Sequence, residues 1–377
     1  MTFTFLHTAD WQIGKPFGSF PPDKAALLRD ARLGVIDRLA AAARTQGAQH
    51  VLVAGDVFDS EHVPDGEITK ALAKMRRADA VTWHLISGNH DPARPGGVWE
   101  RAARAGLPGN VRLHLKPEPA AIADDVFLLP APLTAKRMSL DPTEWMAGAV
   151  TPERALRIGI AHGSVQGFGG GDGDAEVMIA PGRVEAARLD YLALGDWHGM
   201  TRIGPRCWYS GTPEPDRFRE NEPGFALAVR LQGAHSACTV EQVSTAHYSW
   251  RRSELAVADA AAVAAFVDAL DRAQPGLERM LLRLVIKGQV SLQHYVAIVE
   301  RLKALEPAAF HLALDLDGLS AAPAPEETVA LGIDALGRVA ELLQRRAAAG
   351  GSEAAAARLA LLRLYGYAAK VPAGDGA

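Results

Sequence analysis

Residues 81–92 read Val81-Thr82-Trp83-His84-Leu85-Ile86-Ser87-Gly88-Asn89-His90-Asp91-Pro92 (VTWHLISGNHDP), and the fold follows from how they are read. Val81 to Ile86 is a short β-branched, aromatic and aliphatic run closed by Ser-Gly, the pattern of a buried strand. At its C-terminal end an amide, an imidazole and a carboxylate stand in three consecutive positions. Open α/β sheets hold ligands outside the carboxyl ends of their strands. Gly88 lets the backbone come close to a bound ion, and Pro92 stops the turn from running into a helix. Alone, Gly88-Asn89-His90-Asp91 reads equally well as an ordinary polar turn.

Upstream, the same arrangement occurs twice. Phe3–Ala9 reads as a buried strand ending at Asp10, followed by Trp11-Gln12. His50–Ala54 reads as a second, ending in Gly55-Asp56-Val57-Phe58-Asp59. Between them, Asp23–Gln46 carries Leu27, Leu28, Val35, Ile36 and Leu39 at helical spacing, and a helix over 66–77 leads into the stretch at 81. Downstream, strands are expected at 111–115, 126–129, 157–161 (ending in His162-Gly163) and 191–194 (ending in Gly195-Asp196-Trp197-His198). Trp208–Pro213 and Gly224–Arg230 read as closing strands, and the Gly-rich run 167–173 reads equally as a loop at the mouth of a site or as a plain surface loop. Strands alternating with helices indicate a layered α/β fold.

From about Gln242 the pattern is strand, helix (259–272), strand (279–286), helix (292–305), strand (310–315), a compact α/β unit of its own. An Ala/Pro-rich linker, 321–325, precedes two Ala- and Leu-rich helical stretches with apolar faces that must pack on something. The expected organisation is a catalytic domain over 1–240, an α/β cap over 241–320 and a helical tail over 325–370.

A chain of 377 residues has room for these parts. Its 48% hydrophobic and 22% charged residues are those of a soluble globular protein. No apolar run reaches membrane-spanning length, no secretory leader pattern opens the chain, and Cys207 and Cys238 offer neither a disulfide framework nor metal-ligand spacing. The expected compartment is the cytoplasm, with no membrane association. A net charge of −4 gives no overall footprint for nucleic acid, so any such binding is local.

Asp, Gly-Asp-x-x-Asp, Gly-Asn-His-Asp, His-Gly and Gly-x-x-His, in that order at strand ends, resemble the calcineurin-like metallophosphoesterase superfamily. Within it the chain is most similar to the SbcD-type DNA repair exonucleases, through Leu6-His7-Thr8-Ala9-Asp10-Trp11, Tyr209-Ser210-Gly211 and Glu222-Pro223-Gly224-Phe225. The resemblance covers about residues 1–230. It implies an α/β/β/α sandwich with a smaller α/β cap and a helical tail, and two divalent ions at the site.

Carried over position by position, it makes Asp56 the bridge between the ions. Asp10 and His198 hold the first; Asn89, His162 and Asp196 hold the second. His90 faces the scissile phosphate, while Asp59 and Asp91 orient imidazoles and ligands from behind. Two positions depart from the family pattern: Gln12 and Asp196 each stand where a histidine is usual. Asp196 is a competent ligand, and Gln12 is expected to ligate through its amide oxygen, more weakly than an imidazole. The oxygen-rich set points to Mn²⁺, with Mg²⁺ or Fe²⁺ as alternatives.

The resemblance further implies DNA as substrate and a coiled-coil ATPase partner of the SbcC type bound through the C-terminal helices; a homodimer is another expected association. Small-molecule or nucleotide phosphoester hydrolysis on the same fold is the competing reading. Arg76, Arg77, Arg101, Arg104, Arg251 and Arg252 are the local candidates for phosphate contact. If they line the metal cleft a nuclease gains; if they scatter, a small substrate does.

Overall fold

The computed structural model describes residues 2–168, 177–218, 221–234, 236–273, 275–321, 335–349 and 352–368. The chain divides into two units, one of Met1–Asp216 and Glu220–His247, the other of Arg217–Arg219 and Tyr248–Ala377.

The first unit is built on two six-stranded sheets. One contains β1 (Phe3–Thr8), β2 (His50–Val53), β3 (Thr82–Leu85) and β4 (Val111–Leu113), joined in parallel in that order. The other runs through β5 (Ala120–Ala123), β6 (Val126–Ala131), β7 (Leu156–His162) and β10 (Tyr191–Gly195), with β8 (Ser164–Val165) and β9 (Met178–Ile179) forming a separate pair. Beyond β10 that sheet adds β12 (Cys207–Tyr209) and then β11 (Thr201–Gly204). The first sheet is completed by β13 (Phe225–Leu231), antiparallel to β1, and β14 (Cys238–Ser244).

Alternation along the strands makes the layers. Phe3 and Phe5 of β1 point at the second sheet and pack with Leu128, Ile158, Ile160 and Tyr191. Leu6, the next residue along the strand, points to the other side and joins the helix-facing core. That core is covered by α1 (Pro22–Leu33), α2 (Val35–Thr45), α3 (Asp65–Arg77) and α4 (Val98–Arg104). Buried Val35, Ile36, Leu39 and Ala43 form the apolar stripe of α2, and Ile68, Ala71, Leu72 and Met75 that of α3. On the far side, Met146, Val184 of α5 (Arg183–Ala186), Leu189 and Leu192 close the outer face of the second sheet. The result is the expected α/β/β/α sandwich.

Three local differences from the sequence reading have physical causes. The helix expected over 23–46 is two, broken at Gly34, where the Arg38 guanidinium bonds the Ala31 carbonyl. Strand β14 pairs with β13 along its whole length, so the first unit extends to His247 and does not end at 240. The edge strand β5 lies in a run of small residues with no alternation to announce it.

His50, His84 and His114 lie side by side across β2, β3 and the end of β4, with ring centroids 5.2 and 5.3 Å apart. Nδ1 of each of the first two meets Nε2 of the next at 3.0 Å. Burial lowers the pKa of all three, that of His114 to about 4.

In the second unit, β15 (Ser249–Ala256), β16 (Met280–Val290) and β17 (His311–Asp315) form a parallel sheet, with β18 (Leu319–Ala321) also on β16. Met280, Leu282, Leu284 and Ile286 face a core shared with α6 (Ala261–Asp271) and α7 (Leu292–Lys303). Two further helices, Ala335–Ala348 and Ser352–Ala368, pack through Ala340 and Leu361 on Leu292 of α7, so they belong to this unit. Most of the Gly-rich run and of the 321–325 linker falls outside the described residues.

Candidate metal centre

At one end of the sandwich β1, β2, β3, β7 and β10 all finish, and each delivers a polar side chain. The loops after β1 and β2 are laced together by backbone bonds from Asp10 N to Gly55 O (3.1 Å), Gln12 N to Asp56 O (2.8 Å) and Ile13 N to Val57 O (2.9 Å). Among the described residues seven non-glycine positions have positive φ, and four are Asp10 (54°), Gln12 (45°), Asp56 (53°) and Asp196 (100°). Such backbone is costly for a side-chain-bearing residue and clusters at functional sites.

Asp10, Asp56 and His162, all buried, offer ligand atoms within 4.8 Å of one another. His162 Nε2 also lies 3.2 Å from Asn89 Oδ1, 3.5 Å from Asp56 Oδ1 and 3.9 Å from Asp196 Oδ1. Its Nδ1 donates to the Ala54 carbonyl at 2.8 Å, so Nε2 is the nitrogen turned to the carboxylates. Asp196 takes Ser164 Oγ on its other oxygen (2.9 Å), and its backbone N–H meets the Asp10 carboxylate at 3.2 and 3.3 Å. The structure thus gathers Asp10, Asp56, Asn89, His162 and Asp196 in one place.

Two glycines make the gathering possible. A Cβ on Gly88 would stand 2.2 Å from Asp56 Oδ1, and one on Gly195 would stand 2.0 Å from the Ala54 carbonyl. Gly88 therefore serves the approach of backbone to the Asp56 carboxylate.

Charge is unbalanced here. Burial, reinforced by Asp56 and Asp196 against the opposing pull of His198 and His162, raises the Asp10 pKa to about 6. For His162 burial acts downward, but Asp56, Asp10 and Asp196 outweigh it and lift the pKa to about 9. Buried carboxylates of this density call for a cation. The donor set, carboxylate and amide oxygens with imidazole nitrogen, fits divalent ions.

His90 is half exposed. Its backbone N–H donates to Asp56 Oδ1 (2.9 Å), and its Nδ1 donates to the Asp59 carbonyl (2.8 Å). A carbonyl only accepts, so Nδ1 carries a proton and Nε2, 3.9 Å from Asp56 Oδ2, faces the site. Asp59 thus orients His90 through its main chain, while its carboxylate lies 3.6 Å from Lys15 Nζ. Asp91 is bonded through backbone donors. Its oxygens accept from Gly88 N (2.6 Å) and Phe58 N (3.0 Å), bracing the turn that carries Asn89 against the loop that carries Asp56.

The Gln12 side is built differently. Gln12 Nε2 lies 3.3 Å from His198 Nε2, and Gln12 Oε1 accepts from Lys15 Nζ at 3.2 Å. His198 Nδ1 is 3.6 Å from Asp216 Oδ1, and Asp216 Oδ2 holds Lys15 at 2.9 Å. Burial alone would raise the Asp216 pKa, but contact with His198, Arg32 and Lys15 holds it far below the usual carboxylate range. Sequence reasoning did not reach Lys15 or Asp216. The nearest signals were position alone, five residues past Asp10 and shortly past the Tyr209–Pro213 stretch.

Three of the phosphate-contact arginines proposed for the first unit are bonded to groups outside the ligand set. Arg101 bonds the Val63 and Glu61 carbonyls and Asp65, Arg76 the Gly106 carbonyl, and Arg104 the Glu100 carbonyl.

The sequence matches the family model of the calcineurin-like phosphoesterases over residues 3–230, more than half of the 377. No curated protein matches the chain in sequence. Among solved structures, the purple acid phosphatase PPD1 isolated from yellow lupin (Lupinus luteus) seeds is similar at 13% identity and a TM-score of 0.41. The likeness covers 65% of this chain and 52% of that one, so the chain spans about half the length of the structure it matches. Among the described residues no helix is long and apolar enough to cross a membrane.

Proposed function

The chain belongs to the calcineurin-like phosphoesterase family, a family of dinuclear metal-dependent phosphoester hydrolases, and we propose that it is a Mn²⁺-dependent phosphodiesterase acting on DNA. The observation that carries the phosphoesterase chemistry is His90. With Nδ1 committed to the Asp59 carbonyl, a proton held on Nε2 has one outlet, toward the site. An alkoxide leaving from a phosphodiester needs that proton, and general acids of this kind contribute typically ~10²–10⁴-fold. Asp10, Asp56, Asn89, His162, Asp196 and His198 would hold the ions, which when bound activate water and neutralise phosphate charge. Asp91 and Asp59 keep Asn89 and His90 in place from behind.

DNA as the substrate is supported by the stretches around Leu6–Trp11, Tyr209–Gly211 and Glu222–Phe225, and by the second unit. There Arg252 and Arg283 are register partners on β15 and β16, both exposed, two residues beyond the Trp250–Leu281 pair. Like charges directly opposite are unfavourable unless an anion joins them. The bonding of Arg76, Arg101 and Arg104 to groups outside the ligand set favours the second reading, a small phosphodiester. Metal-dependent hydrolysis of single-stranded DNA, duplex DNA, cyclic dinucleotides and bis-p-nitrophenyl phosphate separates them. Turnover of the cyclic dinucleotides with both DNAs intact would establish the small substrate.

A partner ATPase with a coiled coil would dock on the outward side of the helices at 335–348 and 352–368. Leu336, Val339, Leu342 and Leu359 are each about half exposed there, while Ala340 and Leu361 pack inward. Co-purification with a large ATPase tests this, and sedimentation of the isolated chain tests the homodimer.

A further inference from the structure

Gln12 stands where the family places an imidazole, and its surroundings dictate which end of the amide faces the ions. Lys15 Nζ is 3.2 Å from Gln12 Oε1, 2.9 Å from Asp216 Oδ2 and 3.6 Å from Asp59 Oδ1. An ammonium has three donors and no acceptor, so only the amide oxygen can face it. The NH₂ group is thereby turned to His198 Nε2, at 3.3 Å. The amide has little room for another arrangement: Gln12 is 1% exposed and its φ is 45°. Lys15 is held in its turn by Asp216, whose side chain is 2% exposed and whose other oxygen faces His198 Nδ1. An amide N–H donates and has nothing to give a cation.

We propose that Lys15 is a positioning residue that keeps Gln12 a non-ligand, and so sets the affinity of the ion on the His198 side well below that of the ion on the His162 side. The inference rests on the dinuclear metal reading. Lys15 acts through orientation: it occupies the oxygen that would otherwise ligate.

The test is calorimetric titration of Mn²⁺ into the metal-stripped full chain, with wild type, Lys15→Met, Gln12→Ala and the double variant. Wild type should show one tight and one weak site. Lys15→Met should tighten the weak site by about tenfold, the lower range for an outer partner of a metal ligand, and leave the tight one unchanged. In the Gln12→Ala background the same substitution should do little, because no amide is left to release. Equal tightening in both backgrounds would mean that only the lysine's charge matters and would overturn the proposal, as would no change in Lys15→Met. Should Lys15→Met fail to fold, a crystal structure of the wild type with Mn²⁺ decides. Gln12 Oε1 on Lys15 supports the proposal, and Gln12 Oε1 on the ion overturns it. No Mn²⁺ uptake by any form would bring down the metal reading together with this inference, whereas Lys15-independent uptake brings down the inference alone.

Discussion

The two halves of the metal centre occupy equivalent places at the ends of paired strands, yet they are finished differently. On the His162 side every neighbour turned to Nε2 is an oxygen: Asn89 Oδ1, Asp56 Oδ1 and Asp196 Oδ1. On the His198 side the amide nitrogen of Gln12 lies beside Nε2, with the ammonium of Lys15 behind it. The first half presents carboxylate and amide oxygens to its imidazole. The second sets an amide nitrogen beside its imidazole, with an ammonium behind. Ion affinity is therefore decided as much by what stands behind a ligand as by the ligand itself.

The comparison breaks most completely at His162. His162→Ala should abolish tight Mn²⁺ uptake and lower hydrolysis of bis-p-nitrophenyl phosphate on the order of 10³-fold, as expected when a Lewis acid worth several kcal/mol is lost. A drop confined to the weak site would reverse the ranking of the halves. His90→Ala touches neither half. It should retain both ions by calorimetry and lose at least ~10²-fold in rate on a substrate with an alkoxide leaving group. Loss of an ion would make His90 a ligand instead.

Asp216→Asn sharpens the contrast, since it weakens the hold on both His198 and Lys15 without approaching His162. The weak site alone should change, by about 10–100-fold, the range for groups that orient ligands. The smallest effect belongs to the histidines across β2, β3 and β4, remote from either half. Their folded-state pKa values lie below the ordinary histidine value, so the unfolded chain binds more protons as pH falls through that value. Stability should decline from about pH 6.5 toward pH 4. Melting of the metal-stripped protein against pH should show a shallower decline for His114→Leu; an unchanged slope would remove the ladder as the cause.

What the sequence disclosed, and what it hid, follows the same division. Asp10, Asp56, Asn89, His162 and Asp196 were legible because each ends an apolar run, and strand ends in parallel sheets lie on one edge. The layered fold was legible for the same reason, through the alternation of apolar strands with amphipathic helices. Lys15 and Asp216 were not, because a lysine in a loop and an aspartate among prolines belong to no period. Their meeting depends on tertiary structure alone. Asp91 was legible as a supporting group, but its partners are backbone N–H groups, which no side-chain pattern records. The break at Gly34 was hidden because the apolar stripe continues across it, and the fate of β14 because pairing partners are chosen in three dimensions.

One feature of the metal centre bears on how the protein is made. The carboxylate of Asp10 receives the backbone N–H of Asp196, a residue 186 positions later in the chain. At 5–20 residues per second, roughly 10 to 40 s of translation separate the two. Throughout that interval the first acid waits without the residues that complete its surroundings. Charging with metal therefore cannot precede synthesis of the second sheet, and the metal meets most of the first unit rather than the first strand and its acid alone.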